Sequence, residues 1–248
     1  MQVVLRQMRG AERLIVALDV PTVDEALRAV QELDNVSFFK VGFQLFMTGG
    51  LPTLLQSLCD KRVFVDLKVP GDISNTIAAV IDMCHEHRVT FLTLSESMPA
   101  AAIRSAAAAR NAHGASELKL LTVPFLSSLD ADNLVETTGT TDDLETFVLT
   151  RAKRALDAGC DGVIASGAAI EWCRTAFPHP TLIVSPGIRP DGATTDDHKR
   201  HTTPADAIRF GADYLVVGRP ILRAPDPRAA AGRVIREIDA ALRASVGE

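Results

Sequence analysis

The sequence has few of the features that mark several large classes of protein. It contains one Trp and one Tyr among 248 residues, and aromatic residues make up 5%, so base stacking on aromatic side chains is not expected. The net charge is −5 without a basic cluster, which argues against a nucleic-acid partner. No apolar run approaches the roughly 18 residues of a membrane span, and residues 1–10 lack the apolar stretch of a signal peptide. We therefore expect a cytoplasmic protein that binds neither nucleic acid nor membrane.

Cysteine is also scarce. The four cysteines are Cys59, Cys84, Cys160 and Cys173. They form no CxxC pair and have no His partner at metal-ligand spacing. We predict reduced, mostly buried thiols and no metal site.

The chain does contain a regular alternation of short apolar runs and longer segments with helical periodicity. The clearest helix start is Thr22, an N-cap candidate with Glu25 three residues later, which fits a capping box. The predicted helices are Val23–Leu33, Ile73–His87, Ala100–Ala112, Asp143–Ala158 and Ala229–Ala244. The predicted strands are Leu14–Leu18, Phe38–Val41, Val63–Leu67, Phe91–Leu94, Lys119–Val123, Gly162–Ala165, Thr181–Val184 and Tyr214–Val217.

Eight strands alternating with helices predict a parallel α/β architecture, and eight is the number that a closed (β/α)₈ barrel requires. The 248 residues are also close to the roughly 250 typical of that fold. The alternative is an open doubly wound sheet, which usually carries a GxGxxG motif after its first strand. Here the first strand continues into Asp19-Val20-Pro21 instead. We therefore predict a single TIM-barrel domain over residues 1–248.

Ionisable residues lie at the carboxyl ends of the first three predicted strands. Asp19 ends the first strand, Lys40 lies near the end of the second, and Asp66 and Lys68 end the third, with Asp72 just beyond. Each could be a solvated residue where a strand enters a loop. In a barrel, however, these ends meet at one rim, and buried charges are costly unless they are paired. The set therefore favours a functional Asp–Lys network, in which the strand alternation turns Asp66 and Lys68 to the same side.

Two glycine–arginine loops follow the seventh and eighth predicted strands. Gly187 and Arg189 belong to the motif SPGIR, and Gly218 and Arg219 to the motif VGRP. In many barrels these two loops bind a phosphate group through backbone N–H groups and a helix N-terminus. Either loop alone could be a glycine turn with a solvated Arg, but two of the same kind on adjacent strands favour a phosphorylated ligand. The long loop from Arg189 to His201 would cover that ligand.

Taken in order, the motifs LDV, KVG, DLK, DI.NT, SPGIRPDG, DDHKR and VVGRPI resemble those of the orotidine 5′-monophosphate decarboxylases. The resemblance runs from about Leu14 to Leu222. DLK alone is shared with other phosphate-binding barrel decarboxylases, whereas its combination with DI.NT, PGIR and GRPI is more specific. The resemblance implies a homodimeric (β/α)₈ enzyme that makes uridine 5′-monophosphate for pyrimidine synthesis without a metal or organic cofactor.

The resemblance also assigns catalytic roles. Lys68 resembles the general acid that delivers a proton to C6 of the pyrimidine as carbon dioxide leaves. Asp66 resembles the carboxylate beside the departing substrate carboxylate, and Lys40 would complete the alternating array. Asp72 resembles the family aspartate that is contributed across the dimer interface into the partner's site.

Further roles concern substrate binding. Ile73 and Thr76 accompany Asp72 at the interface, Asp19 would hold ribose hydroxyls, and Ser127 matches a hydroxyl residue that reads the pyrimidine edge. The phosphate would be bound by Arg219 and the amide of Gly218, with Arg189 near the covering loop. The remaining residues assigned to substrate binding are Pro186, Gly187 and His198.

Three positions depart from the family pattern. The family spacing is DxKxxD, but the triplet VPG puts one extra residue between Lys68 and Asp72. We expect that Pro-Gly bulges outward as a turn and leaves Asp72 in place; the alternative is that Asp72 moves away from Lys68. His198 stands where the family typically has Gln, which would make phosphate binding sensitive to pH. Ser95 follows the fourth strand, where many members carry His.

Two other functions stay open. A sugar-phosphate lyase of the same barrel group, such as a 3-keto-gulonate 6-phosphate decarboxylase, would share DLK but require magnesium. A non-catalytic nucleotide-binding relative would bind without turnover, since fold alone does not determine function. The complete PGIR and DDxKR loop favours the pyrimidine nucleotide enzyme.

Overall fold

A computed structural model describes residues 8–70, 74–95, 97–114, 117–127, 129, 131–190 and 202–246. Eight parallel strands pair in sequence order, and the eighth closes on the first. The strands are β1 (Leu14–Ala17), β2 (Phe38–Gly42), β3 (Arg62–Val69), β4 (Phe91–Leu94), β5 (Lys119–Thr122), β6 (Gly162–Ile164), β7 (Leu182–Ser185) and β8 (Tyr214–Val217). The described chain is therefore a (β/α)₈ barrel, as the sequence predicts.

Helices surround the barrel. They are α1 (Gly10–Arg13), α2 (Val23–Glu32), α3 (Phe43–Met47), α4 (Leu51–Ser57), α5 (Ser74–Glu86), α6 (Ala100–Ala112), α7 (Ala131–Thr138), α8 (Leu144–Asp157), α9 (Ala169–Ala176), α10 (Pro204–Arg209), α11 (Arg219–Leu222) and α12 (Pro227–Val246). The predicted N-cap of α2 is confirmed, because the Thr22 hydroxyl accepts a hydrogen bond from the Glu25 amide at 3.2 Å. The Glu25 carboxylate, however, contacts the Thr22 hydroxyl at 3.3 Å, where a full capping box would use the Thr22 amide.

The barrel interior is filled by aromatic side chains. The Phe91 ring lies 5.1 Å from the ring centroids of both Phe38 and Tyr214, and 5.8 Å from that of Phe64. All four are buried. Rings at these separations and tilted angles pack favourably. These packed rings fill the barrel interior. The open space within the barrel therefore lies at the carboxyl ends of the strands.

Two ion pairs link helices to the starts of strands at the opposite, amino-terminal end. Asp213 precedes β8; it accepts a hydrogen bond from the Ile183 amide of β7 at 2.8 Å and pairs with Arg174 at 2.7 Å. Asp161 precedes β6 and pairs with Arg110 in the same way. Removing one member of either pair is expected to destabilise the protein, because its partner would be left as an uncompensated charge.

The cysteines agree with the sequence prediction. Cys84, Cys160 and Cys173 are buried, Cys59 is exposed, and all four are free thiols. Burial raises the pKa of each buried thiol to about 12. Within the described residues, no helix combines the length and the apolar character needed to cross a membrane.

Candidate active site

A cavity of about 560 Å³ opens at the carboxyl ends of the strands. Side chains from the strand ends and from the loops after β5, β7 and β8 form its wall. The lining residues are Ala17, Asp19, Lys40, Gly42, Phe43, Gln44, Phe64, Asp66, Lys68, Val123, Leu126, Ser127, Ile164, Pro186, Gly187, Arg189, Val216, Gly218, Arg219 and Arg223.

The predicted Asp–Lys network is present on one side of this cavity. Nζ of Lys40 lies 2.9 Å from Oδ1 of Asp19 and 3.5 Å from Oδ2 of Asp66. Nζ of Lys68 lies 2.9 Å from Oδ1 of Asp66. Negative and positive charges therefore alternate in the order Asp19, Lys40, Asp66 and Lys68. Each ammonium group has a carboxylate beside it.

Exposure differs along the network. The side chains of Lys40 and Asp66 are 10% and 16% exposed, whereas those of Lys68 and Asp19 are 40% and 53% exposed. The two inner groups therefore hold the network together, and the Lys68 ammonium group is available to a ligand in the cavity.

The two inner groups stabilise each other's charged forms. Burial alone would lower the pKa of Lys40, but the adjacent carboxylates of Asp66 and Asp19 outweigh this effect and raise it above its ordinary value. Burial would likewise raise the pKa of Asp66, but Lys40 and Lys68, with hydrogen bonds from Lys68 and Thr93, lower it. Both groups are consequently charged at neutral pH.

The backbone that carries Asp66 and Lys68 is irregular. Val65 pairs with Leu92 of β4 and Val69 pairs with Leu94, so three residues of β3 face the single residue Thr93. Lys68 has a φ of 48°, in the left-handed region that is uncommon for residues other than glycine. This irregularity precedes the Pro-Gly pair for which the sequence predicts a bulge.

Two arginines line the cavity from the loops after β7 and β8. Arg189 is buried, its amide donates to the carbonyl of Thr202 at 3.0 Å, and Arg219 is half-buried at the start of α11. Gly187 has a φ of 76°, a conformation that glycine adopts without a steric penalty. The two predicted glycine–arginine loops, one with Gly187 and the other with Gly218, thus line the same cavity.

Most of the residues predicted from the sequence line this cavity. They are Asp19, Lys40, Asp66, Lys68, Ser127, Pro186, Gly187, Arg189, Gly218 and Arg219. Thr76 is exposed on α5 and does not line this chain's own cavity. Asp72, Ile73 and His198 lie outside the described residues, so their assigned roles stay predictions.

Several residues of the site could not be predicted from the sequence. Gln44, Phe43 and Arg223 line the cavity from helices or helix ends that are too short to show a period in the sequence. Gly42 was missed although it belongs to the KVG motif: a Cβ atom there would lie 3.2 Å from Nζ of Lys40. Thr93 was assigned no role of its own from the sequence, because threonine is common in any strand.

Comparisons with known proteins identify the family and several relatives of this chain. Residues 12–234 match the model of the orotidine 5′-phosphate decarboxylase / HUMPS family. The chain is 42% identical over 234 residues to a protein of Nitrobacter winogradskyi named orotidine 5′-phosphate decarboxylase, covering 94% of this chain and 95% of that relative. It is 44% identical over 238 residues to a protein of the same name from Methylococcus capsulatus, covering 93% and 95%.

Among solved structures, one described as orotidine 5′-phosphate decarboxylase from Lactobacillus acidophilus is similar throughout. Its TM-score is 0.78 at 32% sequence identity, and the similarity covers 91% of this chain and 98% of that one. This chain therefore shares its overall fold with a solved structure described as an orotidine 5′-phosphate decarboxylase.

Proposed function

Because this chain belongs to the orotidine 5′-phosphate decarboxylase / HUMPS family and is therefore a lyase, we propose that it decarboxylates orotidine 5′-monophosphate to uridine 5′-monophosphate in pyrimidine biosynthesis. The observation that carries the proposal is the alternating Asp19–Lys40–Asp66–Lys68 network within one cavity. The relatives that are 42% and 44% identical over nearly the whole chain, both named for this activity, favour this substrate.

The network suits a reaction without an electron sink. Loss of carbon dioxide leaves an electron pair on C6 of the pyrimidine, and fixed charges in a site shielded from water can stabilise it. The Lys68 ammonium group stabilises the developing carbanion and then transfers a proton to C6. Asp66, 2.9 Å away, pairs with that ammonium group and orients it, and Lys40 fixes Asp66 in turn. No metal or organic cofactor takes part in the proposed reaction.

The remaining lining residues would hold the substrate. Asp19, the most exposed member of the network, contacts ribose hydroxyls, and Ser127 contacts the pyrimidine edge. Arg219 binds the phosphate with the amide of Gly218, while Arg189 supports this wall from its buried position. Pro186 and Gly187 shape the loop between them. Phosphate binding distant from the reacting carbon can supply energy for closing the site and positioning the pyrimidine.

We further propose that the enzyme is a homodimer that completes its site with Asp72, Ile73 and Thr76 of the second copy. An apolar surface supports this proposal: Phe43 and Met47 on α3 are 58% and 68% exposed. With Phe46, which is 45% exposed, they recur at the spacing that places side chains on one helix face. α3 follows β2, whose neighbour β3 precedes the segment with Asp72.

A direct assay tests the proposed reaction. Purified protein is treated with a chelator and mixed with orotidine 5′-monophosphate while ultraviolet absorbance is followed. We expect conversion to uridine 5′-monophosphate without added metal. A folded protein that converts none would overturn the proposal, and turnover of a sugar phosphate only with magnesium would replace it with the lyase alternative.

Sedimentation of wild type and Met47→Glu tests the dimer, since a charge on the apolar face should dissociate it.

A further inference from the structure

We propose that Thr93 is a positioning residue for the proposed reaction, which holds Lys68 and Asp66 in their working geometry through a single hydroxyl group. Its Oγ1 accepts a hydrogen bond from the Lys68 amide at 3.0 Å and donates one to Oδ1 of Asp66 at 2.9 Å. The same Oδ1 accepts from Nζ of Lys68 at 2.9 Å. One hydroxyl therefore contacts both members of the central ion pair.

The strand irregularity explains why a side chain is needed here. Between Val65 and Val69, β3 leaves its regular pairing with β4, so the Lys68 amide has no ladder partner of the ordinary kind. A buried amide without an acceptor is costly. The Thr93 hydroxyl lies opposite the irregularity and serves as that acceptor.

The backbone of Lys68 makes this contact more important. A φ of 48° is disfavoured for a side chain of this kind, because Cβ approaches the backbone carbonyl. Such conformations persist only where surrounding contacts maintain them. The hydrogen bond to Thr93 fixes the amide of Lys68, and the Asp66 carboxylate fixes its ammonium group. Both ends of the residue are thereby oriented.

The donated hydrogen bond acts on Asp66. A carboxylate has two oxygens that can each accept several bonds. Here Oδ1 faces Thr93 and Lys68, while Oδ2 faces Lys40 at 3.5 Å. Thr93 is fully buried and does not line the cavity, so its role is to orient the two charged groups and not to contact substrate.

The test is the isosteric change Thr93→Val, which keeps the shape but removes the hydroxyl. Misplacing a catalytic group by about 1 Å can cost about 10²-fold in rate, so we expect kcat to fall by about that factor. The dissociation constant for uridine 5′-monophosphate should change little, because the phosphate contacts remain. Thr93→Ser keeps the hydroxyl and should restore kcat to within about threefold of wild type. The acid limb of the pH–kcat profile should move to higher pH in Thr93→Val, since Asp66 loses a hydrogen bond that favours its charged form.

Thr122→Val is the matched control, because Thr122 is a buried threonine on the adjacent strand β5 that lies outside the cavity lining. A Thr93→Val enzyme with wild-type kcat and an unshifted acid limb would overturn the inference. So would an equal loss in the Thr93→Ser variant that folds normally. Failure of the wild-type enzyme to convert orotidine 5′-monophosphate would instead reject the proposed function, so the two failures are distinguishable.

Discussion

Gly42 leaves the space in which the ammonium group of Lys40 lies. A Cβ atom at Gly42 would stand 3.2 Å from Nζ of Lys40, 3.4 Å from Oδ1 of Asp19 and 3.9 Å from the carbonyl oxygen of Asp66. Its φ of −118° is one that any residue can adopt. A side chain at this position would therefore crowd the Asp–Lys network, whereas the backbone itself would accommodate one.

We predict that Gly42→Ala lowers kcat by about tenfold, because Nζ of Lys40 must move by a few tenths of an ångström and small displacements of catalytic groups are costly. The protein should stay folded. Steady-state kinetics with orotidine 5′-monophosphate measures the effect. Gly232→Ala is the control: it lies on α12 away from the cavity, where alanine favours the helix. Equal kinetics in Gly42→Ala and wild type would contradict the steric argument.

Lys68→Ala should abolish measurable turnover. Loss of proton transfer alone removes roughly 10²–10⁴-fold in rate, and loss of the adjacent positive charge removes more. Binding of uridine 5′-monophosphate should stay within a few-fold of wild type when measured by titration calorimetry. Lys153→Ala removes an exposed lysine that pairs with Asp157 on α8 and should leave kcat unchanged. Substantial turnover by Lys68→Ala would remove this residue from the mechanism.

Arg219→Ala should act mainly on binding. Losing a hydrogen bond to a charged group costs about 1.5–3 kcal/mol, which corresponds to a rise in KM of roughly 10- to 150-fold. Inorganic phosphate should inhibit this variant less than wild type. Arg104→Ala makes the same change of charge at an exposed position on α6 and should leave KM unaltered. A loss confined to kcat would argue against a phosphate-binding role.

The barrel could be predicted because each strand is a short apolar run followed by a turn or a helix. β4 and β8 even begin and end where the sequence predicts. The short helix α3 could not be predicted, since five residues are too few to show a helical period. The ion pair between Arg174 and Asp213 was also missed, because a pairing 39 residues apart leaves no local pattern.

The sequence correctly predicts that the side chains of Asp66 and Lys68 lie on the same side of β3, but strand alternation is only part of the reason. Regular alternation would place residues i and i+2 on the same side of a strand, and their side chains do meet at 2.9 Å. The strand between them is nevertheless irregular, with Lys68 in the left-handed region. That conformation depends on Thr93 of another strand, which sequence spacing within β3 cannot indicate.

The network also predicts how stability depends on pH. The pKa of Asp66 is lowered from 3.8, so its contribution to the free energy of unfolding is present above pH 3.8 and is lost as pH falls through the folded pKa. The pKa of Lys40 is raised from 10.5, so its contribution is complete below pH 10.5 and is lost as pH rises through the folded pKa. Both contributions are therefore fully present between these two values.

Asp66→Asn should reveal the acid limb of this dependence. Removing one member of a buried ion pair costs about 3–5 kcal/mol, so urea unfolding at pH 7 should show a loss of that order. The difference from wild type should shrink as pH falls from 3.8 through the lowered pKa of folded Asp66, because the wild-type carboxylate then becomes protonated as well. Asp157→Asn breaks the Lys153–Asp157 pair, whose side chains are 67% and 64% exposed, and exposed pairs contribute little. A loss for Asp66→Asn that stays constant from pH 7 to pH 2 would show that lost packing, and not the charge of Asp66, is responsible.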